Sequence, residues 1–361
     1  MAIKMKRFLL FLFFDLVLVL STLLAAEYIL GVIDPKKNLP IDDFHNGVLY
    51  TWGQPVTVNR YYFREREFAT PKPNDVYRIM VLGDSLTWGA GLALNERYTN
   101  RLESRIKKEF PDKKIEVLNF GMRGGSTTEE RDNLKKFKDM VQPDFIIVGY
   151  CLNDPQPKSQ DYSWERDQFS KKYDKAIETV SKTLSAMKLY HMSTELRPSI
   201  YRLAEWLDII PPWQVGLNRT YLANSKEWLD FRKALNDIKQ MSDSMHLSPP
   251  IFMVLNQGTY TDRPTNYSHP DAMLTQYLSW YHQAEKEASS DGFLTANVEK
   301  EIGQSLSGKI LAINILDGHP SKELNEVYAK KLFEMVTPYL QSVPKSSTNA
   351  TDEGKHRYPR L

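Results

Sequence analysis

YRIMVLGDSL, residues 77–86 of a 361-residue chain, decides the fold. Tyr77 to Leu82 is an apolar run too short for a helix, and it breaks at Gly83 into Asp84 and Ser85. A continuous apolar run closed by a turn signal reads as a buried strand. Ile115 to Leu118, Asp144 to Tyr150 (DFIIVGY) and Pro250 to Leu255 (PIFMVL) repeat the pattern, and Phe293 to Val298 and Ile310 to Ile315 are further candidates. Between them lie charged stretches of helical spacing, ERYTNRLESRIKKEF (96–110) and TTEERDNLKKFKDMV (127–141), with a later one from Leu274 to Ala288. Strand and helix in alternation predict an α/β fold, a parallel sheet covered by helices on both faces. From Pro155 to Pro249 no strand period is evident, which predicts a helical insertion.

Outward from this core, composition narrows the function classes. Lys plus Arg number 47 against 45 Asp plus Glu, a net charge of +2, with no basic block, so a nucleic-acid surface is not expected. The hydrophobic share of 42% is that of a folded chain rather than a disordered one. A single cysteine, Cys151, excludes an intrachain disulfide, a cysteine-based zinc site and an N-terminal lipid anchor, and the histidines are too far apart for a local metal motif. At the N-terminus, Lys4, Lys6 and Arg7 precede FLLFLFFDLVLVLSTLLAA, Phe8 to Ala26, close to the ~20 residues that cross a bilayer. Its length and the poor cleavage site at Leu24-Ala25-Ala26 favour an uncleaved anchor over a signal peptide, and Asp15 is outweighed by its apolar neighbours. The basic start predicts a cytoplasmic N-terminus with the remainder outside. The expected organisation is an anchor or signal peptide over 1–30, a juxtamembrane segment over 31–75, a domain over 76–343 with its insertion at about 156–248, and a disordered tail over 344–361.

Ligands of an open parallel sheet gather at the carboxyl ends of its strands. Four places qualify: Gly83-Asp84-Ser85-Leu86, Asn119 to Gly125 (NFGMRGG), Asn153-Asp154, and Asp317-Gly318-His319-Pro320. In this order the four blocks resemble the SGNH or GDSL hydrolase family over Tyr77 to Leu340. The resemblance implies a three-layer α/β/α fold with a central, mostly parallel five-stranded sheet of flavodoxin-like type, Ser85 as nucleophile, His319 as general base and Asp317 as its carboxylate. It also implies an oxyanion hole made by the backbone N–H groups of Ser85 and Gly124 and the side-chain amide of Asn153, with no cofactor and no metal. The chemistry agrees, since a serine hydroxyl needs an imidazole to take its proton and a carboxylate to hold the imidazole.

Each residue alone has a plainer reading. Ser85 could cap the following helix, Asn153 could sit in a turn before Pro155, and Gly124-Gly125 could be a loose loop. Asp84 and Asp154 read as carboxylates bonding loop amides, and Cys151 as a small buried hydrophobe. His269 is the rival base, but it lacks a carboxylate two or three residues before it and reads as part of a helix start capped by Ser268. Two departures from the family stand out. Cys151 occupies the place of the usual glycine of Gly-x-Asn-Asp, and Asp317 precedes His319 by two residues where three is common, which leaves open a backbone carbonyl or another acid as the orienting group. GQSLSGKI (303–310) imitates a phosphate loop but lacks the Ser or Thr after Lys309.

Together these readings predict a membrane-tethered serine esterase on the periplasmic side of the inner membrane, single-pass, removing small acyl groups such as acetyl from a glycan or lipid. Two alternatives use the same architecture: an O-acyltransferase on a cell-envelope polysaccharide, and an inactive scaffold that binds a glycan or partner. The expected partners are an acyl-ester substrate, the membrane through the N-terminal helix, and a membrane acyltransferase.

Overall fold

The computed structural model describes residues 2–33, 43–45, 48–156, 164–314 and 317–345; the expected tail lies, from Ser346 onward, outside the described residues. In chain order, α1 (Ala2–Ile33) is followed by three short strands, β1 (Asp43–His45), β2 (Val48–Thr51) and β3 (Gln54–Val56). Then come β4 (Val76–Gly83), α2 (Ser85–Trp88), α3 (Tyr98–Glu109), β5 (Lys114–Gly121), α4 (Thr127–Val141) and β6 (Phe145–Tyr150). Four helices follow: α5 (Trp164–Ala186), α6 (Tyr190–Trp206), α7 (Trp213–Thr220) and α8 (Lys226–Ser244). The chain ends through β7 (Ile251–Val254), α9 (Ala272–Ser290), β8 (Leu294–Ala296), α10 (Glu299–Ser305), β9 (Ala312–Asn314), β10 (Asp317–Pro320) and α11 (Lys322–Gln341).

Two compact units result, one formed by residues up to Gly53 with Trp164–Pro211, the other by Gln54–Ser163 with Pro212–Leu361. In the first, α1 contains a stretch, Leu10–Val32, long and apolar enough to cross a bilayer, and every residue from Leu10 to Ala26 is exposed. Where the apolar run ends, Glu27 accepts a hydrogen bond from the Met192 N–H at 3.0 Å, which satisfies a free amide in the first turn of α6. α5 and α6 pack through Phe169, Ile177, Tyr201 and Ala204, and Asp174 accepts from Arg197 (2.9 Å) and from the Tyr201 hydroxyl (3.0 Å).

The second unit carries the sheet. Its five strands run parallel in the order β5-β4-β6-β7-β8. Alternate side chains face opposite layers. Met80 and Leu82 of β4 join α4, α8 and α9 in one core, whereas Ile79 and Val81 join α3, α10 and α11 in the other. α8 therefore covers the sheet through Phe231, Leu235 and Ile238, and of the 156–248 stretch expected as an insertion only Trp164–Pro211 falls in the first unit. The sixth apolar run, Ile310 to Ile315, supplies β9, which stands outside the sheet and pairs antiparallel with β10. α9 starts at an Asp271 cap, whose carboxylate accepts from the Leu274 N–H at 2.9 Å, so Ser268 is not its cap.

One feature of the sheet shapes its carboxyl edge. Gly83 is in register with Gly121 on one side and Gly149 on the other, so three glycines lie level at the carboxyl ends of the three adjacent strands. α2 rests on them. A Cβ on Gly83 would come within 2.0 Å of Thr87 Oγ1, one on Gly149 within 2.6 Å of the same atom, and one on Gly121 within 2.4 Å of the Trp88 backbone nitrogen.

Candidate active site

The strand order departs in opposite directions from β4, to β5 on one side and to β6 on the other. Such a reversal leaves a crevice at the strand ends. Ser85, the first residue of α2, sits there, at the end of β4. The cap of α2 is Asp84, not Ser85: its Oδ1 accepts from the Leu86 N–H at 2.8 Å. Ser85 Oγ is left to face His319, with Nε2 at 2.8 Å, and Asp84 Oδ2 at 3.1 Å.

His319 reaches Ser85 from a hairpin. β10 pairs with β9 through Asp317↔Asn314 and Pro320↔Ala312, with an irregularity in register between them. That irregularity makes a two-residue spacing sufficient: Asp317 Oδ1 accepts from the His319 N–H at 2.9 Å and hydrogen-bonds His319 Nδ1. Nδ1 bonded to a carboxylate leaves Nε2 as the acceptor toward the Ser85 hydroxyl. Asn325 secures the hairpin to the helical layer, donating to Pro320 O (3.2 Å) and Ser321 O (3.0 Å) and accepting from the Tyr98 N–H (3.0 Å). Burial draws the His319 imidazole down, but Asp317 and Asp84 more than offset this, and the net displacement is above its ordinary 6.5 despite an opposing contribution from Arg123.

Gly124 is exposed on the loop after β5, at φ +63°, a left-handed conformation that suits a residue without Cβ. Asn153 is half-buried on the turn after β6. Among the described residues nothing accepts from the backbone N–H of Ser85 or Gly124, or from Asn153 Nδ2. Asn153 is connected to Ser85 by a chain of contacts: its Oδ1 lies 2.8 Å from Cys151 Sγ, which lies 3.0 Å from the Asp84 oxygen that is itself 3.1 Å from Ser85 Oγ.

Cys151 is fully buried, as expected, but its sulfur is engaged in polar contacts rather than in apolar packing alone. Burial, then the charges of Asp154 and Asp84, push its thiol well above the usual range, so it is no rival nucleophile. Asp154 Oδ2 accepts from the Cys151 N–H at 2.8 Å. Ligand atoms of Asp84, Cys151 and Asp154 lie within 4.8 Å of one another, the spacing of a cation site, and they are occupied by hydrogen bonds to one another and to backbone amides.

Three residues escaped the sequence reading. Glu130, on the buried face of α4, has both carboxylate oxygens buried without a hydrogen-bond partner, and its charge is felt by Asp154. Burial and the neighbouring carboxylates push both Glu130 and Asp154 well above the carboxylate range. Arg123 stacks on Trp88 with its guanidinium carbon 5.3 Å from the ring centre, and the buried Arg64 stacks on that ring at 4.8 Å. None of these has a local sequence signal, because each owes its meaning to residues distant in the chain. His269, by contrast, is exposed, and its backbone N–H donates to Asn266 Oδ1 at 3.0 Å.

A family model described as the GDSL-like lipase/acylhydrolase family matches residues 81–295. Among solved structures, an α/β hydrolase enzyme from the metagenome of Lake Arreo, Spain, is 14% identical with a TM-score of 0.43, covering 72% of this chain and 95% of that one. An acetylxylan esterase from Geobacillus stearothermophilus is 14% identical (TM-score 0.41; 72% and 94% covered). A psychrotrophic esterase from a Pseudoalteromonas species is 13% identical (TM-score 0.38; 73% and 99% covered). No curated protein matches at a significant level.

Proposed function

Since the chain belongs to the GDSL-like lipase/acylhydrolase family and is an ester-hydrolysing enzyme, we propose that Ser85, His319 and Asp317 perform the hydrolysis through an acyl-enzyme. The observation that carries this reading is the continuous relay from Ser85 Oγ to His319 Nε2 at 2.8 Å and from His319 Nδ1 to Asp317. His319 takes the hydroxyl proton as Ser85 Oγ attacks the ester carbonyl, and Asp317 stabilises the imidazolium that results. Negative charge then collects on the carbonyl oxygen. The unclaimed N–H groups of Ser85 and Gly124 and the amide of Asn153 receive it, each such donor contributing about 3 kcal/mol. His319 returns the proton to the departing alcohol, and a water activated by the same imidazole releases the acid.

The substrate we assign is a small acyl ester, such as an acetyl, on a glycan or lipid outside the cytoplasm. The apolar helix α1, long enough to cross a bilayer and with Lys4, Lys6 and Arg7 ahead of its apolar stretch, supports a tethered enzyme facing that side. Intact mass after exposure to a fluorophosphonate tests the mechanism. The chain gains one phosphonyl adduct and the Ser85→Ala variant gains none; an unlabelled folded chain, or a labelled variant, rejects it.

A further inference from the structure

The α5–α6 hairpin of the first unit has a small core of its own, Ile177, Tyr201, Ala204 and Ile210, and carries apolar surface that this core does not use. At and just past the end of α6, Leu203, Leu207 and Ile209 are each half or more exposed and Trp206 is 78% exposed, four large apolar side chains within seven residues. On α5, Tyr173 and Val180 are exposed seven residues apart, and Met187 follows at the same interval just beyond the helix, so the three continue one stripe. Single exposed apolar residues are ordinary, but a cluster of this density marks an interaction surface.

The start of the hairpin indicates what covers that surface. α1 and α6 touch, with Glu27 accepting from the Met192 N–H at 3.0 Å. A hydrocarbon core ~30 Å thick takes ~20 residues of helix, which from Leu10 runs to about Ile29. With α1 across a bilayer, Glu27 therefore stands where hydrocarbon gives way to headgroups, and α6 begins at that depth rather than above it. Resting on the tether proposed above, we propose that the α5–α6 hairpin is a second membrane contact, lying along the leaflet from which α1 emerges with both apolar stretches among the headgroups. Its side chains suit that depth. Trp and Tyr favour the interface, and the exposed lysines beside the stripe, Lys172, Lys175 and Lys182, keep their charge in water while their stems lie on apolar surface. Lys172 Nζ already lies 5.0 Å from the centre of the Tyr173 ring. Over residues 164–210 eight Lys and Arg nearly balance seven Asp and Glu, so the attraction is apolar rather than toward anionic lipid. Anchorage through α1 holds the hairpin at high effective concentration against the bilayer, so a modest surface suffices.

The test places the full-length chain in vesicles of phosphatidylethanolamine and phosphatidylglycerol, with acyl chains either plain or brominated close to the headgroup, and runs the Trp206→Phe variant alongside. The chain has seven tryptophans, and the difference in emission between the two proteins isolates Trp206. The expected result is that brominated lipid quenches the Trp206 emission about twofold or more, while acrylamide in the water quenches it weakly. Quenching by acrylamide and not by brominated lipid, in a chain that resists alkaline extraction from the vesicles, overturns the hairpin contact and leaves the tether standing. Shielding of Trp206 from both quenchers shows that protein, such as a second copy of this chain, covers the patch, and overturns the contact equally. A chain that alkaline extraction strips from the vesicles, with Trp206 untouched by bromine, overturns the tether and the contact together.

Discussion

Asp317 acts on His319 twice, through the ring and through the backbone amide, and the two contacts predict separable effects. Asp317→Asn keeps the backbone bond but removes the charge, so kcat should fall by about 10²–10⁴-fold with little loss of stability. The imidazole must be neutral to act, and its pKa lies above 6.5, so kcat/KM should decline as pH falls through a midpoint above that value. Removing the Asp317 charge withdraws an upward influence and should move that midpoint down, which a pH–rate profile of the variant measures; an unmoved midpoint would show that another group sets it. Ser85 and Asn153 stand just beyond the ends of β4 and β6, where the sequence directs attention, whereas His319 lies within β10, outside the sheet, and was legible only through its Asp-Gly-His-Pro block. Arg123 and Glu130 were not, because a cation–π contact and the closeness of buried carboxylates depend on which segments the sheet brings together.

At the scale of elements, the glycine floor under α2 makes a prediction that no single block of sequence would suggest. Gly121→Ala puts a methyl group against backbone atoms of Thr87 and Trp88, which cannot yield as a side-chain tip would. Lifting α2 should destabilise the unit by about 1–3 kcal/mol, several degrees in Tm, and misplace Ser85 enough to lower kcat disproportionately. Thermal unfolding and turnover on the same preparation check both halves. The strands themselves were legible, because runs such as DFIIVGY, buried on both faces, have no competing interpretation of that length. The destination of the helices was not. α8 has the same charged, amphipathic look as α5, yet α8 covers the sheet and α5 packs on α6, and periodicity says only that a face is apolar, not what it meets. The run in β9 failed as a sheet strand for a similar reason: three residues pair as well in a hairpin as at a sheet edge.

For the whole molecule, the buried carboxylates Glu130 and Asp154 tie stability to pH. Glu130 and Asp154 have folded-state pKa values well above those of an unfolded chain, so between the two values the native state holds more protons. Their contribution is complete below the unfolded carboxylate pKa and is lost as pH rises through the folded one. Glu130→Gln, which never carries the charge, should flatten that decline and raise Tm at neutral and alkaline pH; a steeper fall in the variant would contradict the assignment. The distance along the chain between the reacting partners has another consequence. Ser85 and His319 are 234 residues apart, so at roughly 5–20 residues per second a ribosome needs on the order of 10–50 s after making one to deliver the other. During that interval the emerging polypeptide has a nucleophile and no base. The enzyme is thus inert until its C-terminal part has been made, and it acquires hydrolytic power only when the hairpin that carries His319 docks.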